Sequence, residues 1–313
     1  METTAGFHRG STAKVSRGAV NYRLWGRGDG TRPLVVTVHG LLGSMGTFCP
    51  MAQQLVGLGF DVLAFDLFGF GLSDSPSARF NAALYAAQTV ELIASIGFPA
   101  GSRFCLVGYS MGGLIALEVA NRHPERVQKL FLIAPAGFVS LSRRQRSGLC
   151  ALRAARLLHL PVVSLAAKLS DLVMDWDTES FEPDMKEGSQ ATECAKVNER
   201  RFRSNPEKYT TAWLKSVRDM KLGSSRRAYA EAAASGIEIM FVWGDSDAVV
   251  PLSDGQEELR ELFPTAPFAV LSGVGHGILI EHNEAVSQLA ASWFQHGRQG
   301  LAVMSMLPAM AVA

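Results

Sequence analysis

The sequence predicts an α/β fold in which helices cover both faces of a doubly wound, mostly parallel sheet. Short apolar segments rich in Val, Ile and Phe alternate with helical patterns along most of the 313-residue chain. These segments are too uniformly apolar to have one face in water, which is typical of strands in a parallel sheet. A Gly-x-Ser-x-Gly turn also joins one predicted strand directly to a helix. Together these observations favour functional loops at the carboxyl ends of the strands.

The predicted strands are short runs of β-prone residues, and most of them are separated by a helix long enough to cross over a parallel sheet. The strands are predicted at residues 20–25, 34–38, 62–65, 104–107, 127–133, 237–242 and 268–271. The intervening helices are predicted at residues 48–58, 81–96, 111–122, 226–234, 255–263 and 284–294.

The alternation stops after residues 134–137 (Ala-Pro-Ala-Gly) and resumes near Arg226. The interval of about ninety residues is far longer than an ordinary loop. We therefore predict a core of residues 1–136 and 224–313, and a helical cap inserted at residues 137–223. Prolines separate the helical segments of the cap, and we predict its helices at residues 143–160, 163–174, 190–203 and 206–220.

Composition and charge argue against several functions. The chain has 30 Lys and Arg against 29 Asp and Glu, a net charge of +1, so we expect no nucleic acid partner. Its 4 cysteines have neither metal-binding nor disulfide spacing, so we expect no metal site and no disulfide framework. The first residues lack a continuous apolar segment, and no Asn-x-Ser/Thr sequence occurs, so a cytoplasmic location is expected.

Two segments raise the question of membrane contact. Residues 143–156 contain several arginines and no acidic residue. On a helical projection, however, Leu149 falls among Arg146, Arg153 and Arg156, whereas an interfacial helix separates its basic and apolar faces. We do not favour a membrane-surface helix, which stays the alternative. The apolar tail, residues 301–313, is shorter than the roughly 20 residues of a spanning helix, and we expect it to pack or be disordered.

Ser110 is the predicted nucleophile. It lies in residues 108–112 (Gly-Tyr-Ser-Met-Gly), between an apolar strand pattern and a helical pattern. In a nucleophile elbow, glycines let the strand and the helix cross closely while the serine hydroxyl projects from a strained turn. Ordinary turns and phosphate loops also contain such a pattern, so the position between strand and helix carries the prediction.

A serine hydroxyl needs a base, and the base needs an acid that orients it. His276 is the predicted base because it lies in a glycine-rich loop after the strand at 268–271. Asp247 is the predicted acid, on the loop that follows the strand at 237–242. Asp245, two residues earlier, is the alternative acid, and its other role would be to cap the turn. The chain order Ser110, Asp247, His276 is the order of α/β hydrolases.

The backbone amides of Leu41 and Met111 are predicted to form an oxyanion hole, which stabilises negative charge on a tetrahedral intermediate. Leu41 lies in residues 39–44 (His-Gly-Leu-Leu-Gly-Ser), a glycine-rich bend after the strand at 34–38, and Met111 directly follows Ser110. A plain tight turn is the alternative for the bend. We expect His39 to be a hydrogen-bond partner of that bend rather than a base.

The chain resembles α/β hydrolases with a helical cap, because its motifs occur in the order of that family. Residues 39–40 (His-Gly) are followed by residues 66–73, which match D-x-x-G-x-G-x-S, and then by the elbow. The acid loop with Pro251 comes next, and then His276, followed by Glu281. The resemblance implies that residues 66–73 shape a loop, so Asp66 and Ser73 would be structural.

The resemblance also implies esterase, lipase, thioesterase or carbon–carbon bond hydrolase chemistry. A serine at the elbow argues against relatives that cleave haloalkanes or epoxides through an aspartate ester. We expect a serine carboxylic ester hydrolase that acts on an uncharged ester with an apolar acyl or aryl group through an acyl-enzyme. A serine, a histidine and an aspartate would be sufficient for this ester hydrolysis, so no cofactor is expected. The alternatives are a thioesterase, a carbon–carbon hydrolase of vinylogous diketones, or a non-catalytic ligand-binding protein of the same fold.

Overall fold

The computed structural model describes residues 10–99, 101–138, 190–299 and 310–312, and a 9-stranded sheet lies at its centre. The spatial order of the strands is β1-β2-β4-β3-β5-β6-β7-β8-β9. Neighbours from β4 to β8 are parallel, whereas β1, β2 and β9 join antiparallel at the two edges. The strands are β1 Ser11–Val15, β2 Gly18–Trp25, β3 Leu34–Val38, β4 Asp61–Phe65, β5 Phe104–Tyr109, β6 Val127–Ile133, β7 Glu238–Gly244, β8 Phe268–Leu271 and β9 Met310–Val312.

The predicted fold class is confirmed, and every predicted strand is present with ends that differ by at most two residues. The strands β1 and β9 were not predicted. Both lie at sheet edges, where a strand pairs on one side only, and β1 has a half-exposed sequence without an apolar run. The strand β9 belongs to the apolar tail and pairs with β8, so this part of the tail packs on the sheet.

Helices cover both faces of the sheet, because a parallel sheet is apolar on both sides. Within the described part of the chain, no helix is both long and apolar enough to cross a membrane. The helices outside the insertion are α1 Cys49–Gly57, α2 Ala82–Ser95, α3 Met111–Arg122, α6 Arg226–Ala234, α7 Gln256–Leu262, α8 Ile278–Glu281 and α9 Asn283–His296. Helices α1 and α9 pack on one face of the sheet, and α2, α3 and α6 pack on the other.

The core consists of two apolar layers because successive side chains of a strand point to opposite faces. Val36 and Leu106 enter the layer beneath α2 and α3, whereas Val35 and Val107 enter the layer beneath α1 and α9. All of these side chains are buried. Helices on both faces therefore bury the centres of the parallel strands, and the loops follow at the carboxyl ends of the strands.

The described part of the predicted insertion contains α4 (Gln190–Ser204) and α5 (Pro206–Asp219), in agreement with the helices predicted there. The helices predicted at 143–160 and 163–174 lie outside the described residues. The Ser225 amide donates to the Gly137 carbonyl over 3.0 Å, so the two ends of the insertion meet. The Lys208 ammonium fastens α5 to the core by donating to the carbonyls of Gly71 (3.0 Å) and Ser73 (2.8 Å).

The buried carboxylate of Asp66 binds three parts of the chain: strand β2, the residue after the bend at 39–44, and the loop that follows β4. Its Oδ2 accepts from Asn21 Nδ2 (2.7 Å) and the Leu72 amide (2.8 Å), and its Oδ1 accepts from the Met45 amide (2.8 Å). The Ser73 hydroxyl donates to the Asp66 carbonyl over 2.6 Å. Asp66 and Ser73 therefore have the structural roles that the family motif implied.

Replacing Asp66 by alanine should destabilise the protein strongly. Buried donors that lose their acceptor cost about 1–3 kcal/mol each, so we expect Asp66→Ala to lower the free energy of unfolding by at least about 3 kcal/mol. Asp74→Ala is the matched control because its exposed carboxylate accepts from the Ala19 amide near the start of β2. Urea unfolding of both variants measures the difference, and equal losses would contradict the structural role of Asp66.

Candidate active site

Ser110 occupies a strained turn between β5 and α3. Its φ of 54° and ψ of −120° are rare for a residue with a side chain, and such strain persists only where the surroundings impose it. The Ser110 amide donates to the Ile133 carbonyl (2.9 Å), while its own carbonyl accepts from the amides of Gly113 (2.9 Å) and Ala136 (3.0 Å). These backbone bonds fix Ser110 between the end of β5 and the start of α3.

The glycines of the turn are required by close contacts on every side. A Cβ at Gly108 would lie 2.6 Å from the Gly112 carbonyl oxygen, and a Cβ at Gly112 would overlap the Val38 carbonyl of β3. A Cβ at Gly113 would overlap Pro135. Side chains at these positions would push β3, β5 and α3 apart and move the serine.

The side chains of Ser110, His276 and Asp247 form a hydrogen-bonded chain. The Ser110 Oγ lies 3.0 Å from His276 Nε2, and His276 Nδ1 lies 2.7 Å from Asp247 Oδ2. Because a carboxylate only accepts, Nδ1 carries the hydrogen and Nε2 is left to accept the serine proton. The amides of Val249 (2.9 Å) and Val250 (2.7 Å) donate to Asp247 Oδ1. Asp247 and His276 are each only 4% exposed.

Asp245, the alternative acid, binds the backbone of the histidine loop instead of the imidazole. Its Oδ1 accepts from the Gly273 amide (2.7 Å) and the Ser246 hydroxyl (2.9 Å), and its Oδ2 accepts from the Ser272 hydroxyl (2.9 Å). These donors, the Gly273 amide first, lower the pKa of Asp245. The two loops after β7 and β8 are thereby tied together.

The bend at residues 39–44 packs directly against the serine. A Cβ at Gly40 would lie 3.1 Å from the Ser110 Cβ. The Gly40 carbonyl accepts from the Gly43 amide (3.1 Å) and from His39 Nδ1 (2.7 Å), while His39 Nε2 accepts from the Leu67 amide (3.0 Å). Burial lowers the pKa of His39, which therefore stays neutral and braces the bend.

The two predicted oxyanion-hole residues flank Ser110. Leu41 follows Gly40 in the bend, and within the described residues its amide makes no hydrogen bond. Met111 is the first residue of α3, where a backbone N–H has no acceptor inside the helix. Both amides are therefore available to a ligand atom near the serine.

Two contacts at the site were not predicted from the sequence. The Ser44 hydroxyl donates to Asn198 Oδ1 over 2.7 Å, which links the bend to helix α4 of the insertion. The Tyr109 hydroxyl donates to the His276 carbonyl over 2.6 Å, and the rings of Tyr109 and His276 stack with centroids 5.3 Å apart. Partners more than 150 residues apart leave no local signal in the sequence.

The described residues contain no cluster of three or more His, Cys, Asp or Glu side chains that could hold a metal ion. The chemistry available from their arrangement is proton transfer between a hydroxyl and an imidazole, next to free backbone amides. That combination suits addition of a serine to a carbonyl group.

The sequence is similar to hydrolases of one fold. The family model of the alpha/beta hydrolase fold matches residues 33–283. Lipase 3 of a Moraxella species is 26% identical over 250 residues, which are 80% of this chain and 73% of the lipase. A 2-hydroxymuconate semialdehyde hydrolase of Pseudomonas putida is 25% identical over 233 residues, which are 74% of this chain and 76% of that protein.

Solved structures show the same fold at lower sequence identity. An esterase from Exiguobacterium antarcticum superposes with a TM-score of 0.68 at 19% identity, covering 91% of this chain and 98% of its own. A meta-cleavage product hydrolase from Pseudomonas fluorescens has a TM-score of 0.68 at 21% identity, covering 93% of this chain and 99% of its own.

The hydrogen bonds to Asp245 should make stability depend on pH. A lowered folded-state pKa adds stability above the unfolded-state value of about 3.9, and this stability is lost as the pH falls through the folded-state pKa. We therefore expect Asp245→Asn to be less stable than the wild type at pH 6 and the difference to shrink below about pH 4. Unfolding free energies measured from pH 2 to 6 test this, with the exposed Glu257→Gln as control. A difference that stays constant over this range would contradict it.

Proposed function

The chain belongs to the α/β hydrolase fold family, and we propose that it is a serine carboxylic ester hydrolase. The observation that carries the proposal is the chain of hydrogen bonds from Ser110 through His276 to Asp247, set on a strained turn. The similarity to lipases over most of the sequence supports the same reaction class.

In the proposed mechanism, Ser110 Oγ attacks the ester carbonyl while His276 Nε2 takes the hydroxyl proton. His276 then gives that proton to the leaving alcohol, and the acyl group stays on the serine. Water, deprotonated by the same imidazole, then attacks the acyl-enzyme. The imidazolium returns this proton to Ser110 Oγ as the bond to the acyl carbon breaks and the acid leaves. Asp247 keeps the hydrogen on Nδ1 and stabilises the imidazolium that forms in both steps.

The amides of Leu41 and Met111 donate to the oxyanion of each tetrahedral intermediate in this mechanism. Such donors act most strongly where water is excluded, and the acid and base of the site are almost fully buried. His39 Nδ1 donates to the Gly40 carbonyl within the bend that carries Leu41, and the Met45 amide directly after the bend donates to Asp66. These two bonds fix the bend. The donors are therefore in place before the substrate arrives.

We propose that residues 137–223 form the cap that selects the substrate. The insertion follows β6, the neighbour of the elbow strand, and its helix α4 contacts the oxyanion bend through Asn198. Its sequence contains 11 Leu and 6 Val, together with Trp176 and Trp213. An uncharged ester with an apolar acyl or aryl group is therefore the favoured substrate.

A carbon–carbon bond hydrolase is the second candidate. The specific observation in its favour is the similarity to a 2-hydroxymuconate semialdehyde hydrolase over 74% of this chain. The same serine, histidine and oxyanion donors would serve both reactions, so the substrate decides between them. Turnover of a panel of esters, thioesters, amides and vinylogous diketones by the purified protein, with a fluorophosphonate probe for Ser110, tests both. A protein that takes no label and turns over no substrate would be a binding protein instead.

The three residues of the hydrogen-bonded chain should behave as one catalytic unit. Ser110→Ala and His276→Ala should each lower kcat by roughly 10⁴-fold or more, and the double variant should be scarcely worse. Asp247→Asn should also cost roughly 10⁴-fold, because it favours the wrong imidazole tautomer. Asp245→Asn is the matched control and should cost far less, since its carboxylate does not contact the imidazole. Additive losses, or a larger loss in the control, would contradict these assignments.

The cap should favour medium acyl chains over acetate. Each buried methylene contributes about 0.8 kcal/mol, so two or three enclosed methylenes raise kcat/KM by tens-fold. Measuring kcat/KM for p-nitrophenyl acetate, butyrate, octanoate and palmitate gives the profile. A flat profile, or a preference for acetate, would rule out an apolar acyl site.

A further inference from the structure

We propose that Tyr109 is a positioning residue that fixes the orientation of the His276 imidazole. The inference rests on the proposed function, because it concerns how the base of that mechanism is held. Tyr109 ends β5 and is the residue immediately before Ser110. The residue that precedes the nucleophile thus holds the residue that activates it.

The loop that carries His276 has few side chains of its own to fix it. Glycines precede and follow the histidine, and Gly273 has a φ of 73° that favours glycine. Asp245 holds the start of this loop at Gly273. The Ser246 amide holds the next residue by donating to the Val274 carbonyl over 3.1 Å. The Tyr109 hydroxyl adds a direct bond at His276 itself, since it donates to the His276 carbonyl over 2.6 Å.

The same tyrosine also restrains the imidazole ring. The two ring planes are inclined by 26° and their centroids lie 5.3 Å apart, which is an offset stacked arrangement. The hydroxyl thus sets the position of the histidine backbone, and the ring face limits the tilt of the side chain. Both are needed to keep Nε2 at 3.0 Å from the serine oxygen.

Tyr109 cannot itself exchange protons in the reaction. Burial raises the pKa of its hydroxyl far above its ordinary value, so the group stays neutral, and the side chain is only 7% exposed. Its hydrogen bond goes to a carbonyl and leaves both ring nitrogens of His276 to Asp247 and Ser110. The Tyr109 side chain is therefore placed to act on turnover through His276.

Removing only the hydroxyl tests the anchor. We expect Tyr109→Phe to lower kcat about tenfold with KM within about twofold, since the base loses a buried hydrogen bond and its alignment with the serine. Tyr109→Leu, which also removes the ring, should lose about a hundredfold. Tyr85→Phe is the matched control because its fully buried hydroxyl also donates to a carbonyl, that of Phe68, and touches none of the three side chains. It should change kcat by less than about twofold.

A double-variant comparison separates positioning from a general loss of stability. In the His276→Ala background, Tyr109→Phe should cause no further loss of residual turnover, because the residue through which it acts is gone. A loss that persists in that background, or one no larger than that of Tyr85→Phe, would overturn the proposal.

Proton NMR of the His276 Nδ1–H resonance gives a readout that does not depend on catalysis. We expect a sharp downfield resonance in the wild type and in Tyr85→Phe, and a broadened or missing one in Tyr109→Phe. An unchanged resonance in Tyr109→Phe would overturn the positioning role even if the protein hydrolysed no ester. If the wild type turned over no substrate while the resonance still changed in Tyr109→Phe, the proposed function would be refuted and the positioning role would stand.

Discussion

The close crossing of β3, β5 and α3 is the constraint on which the whole site depends. The helix begins so near to β3 that no side chain fits at Gly112 against the Val38 carbonyl. The chain can make this turn only by forcing Ser110 to a positive φ. One tight turn thereby sets three things together: the serine hydroxyl, the free Met111 amide and the Tyr109 side chain that contacts the histidine.

Much of the fold, and the meeting of the candidate residues Ser110, Asp247 and His276, could be predicted because the signals are local or follow chain order. Uniformly apolar runs marked the central strands, and a glycine-flanked serine between strand and helix marked the elbow. His276 and Asp247 could be expected near Ser110 because each follows a later strand, and parallel strands bring their carboxyl ends to one edge of the sheet. The choice between Asp247 and Asp245 could not be made this way, since both follow β7. It depends on which carboxylate meets the imidazole and which meets the Gly273 amide.

The features that escaped prediction are contacts between residues far apart in the chain. Nothing near Tyr109 indicates that its hydroxyl reaches the His276 carbonyl, and nothing near Asn198 indicates the Ser44 hydroxyl. The edge strands were missed for a different reason. An edge strand needs only one paired side and half a buried face, so β1 can form from a polar sequence without the apolar pattern of a central strand.

The meeting of Gly137 and Ser225 has a consequence for how this protein can diversify. A segment that leaves the sheet and returns at one amide–carbonyl pair can be exchanged for another of different length without altering strand order. Helix α5, however, is fastened to the loop after β4 through Lys208. Chimaeras with related proteins should therefore keep residues 190–225, because this part of the insertion is bound to the core through Lys208. Only residues 138–189 of the insertion should be exchanged.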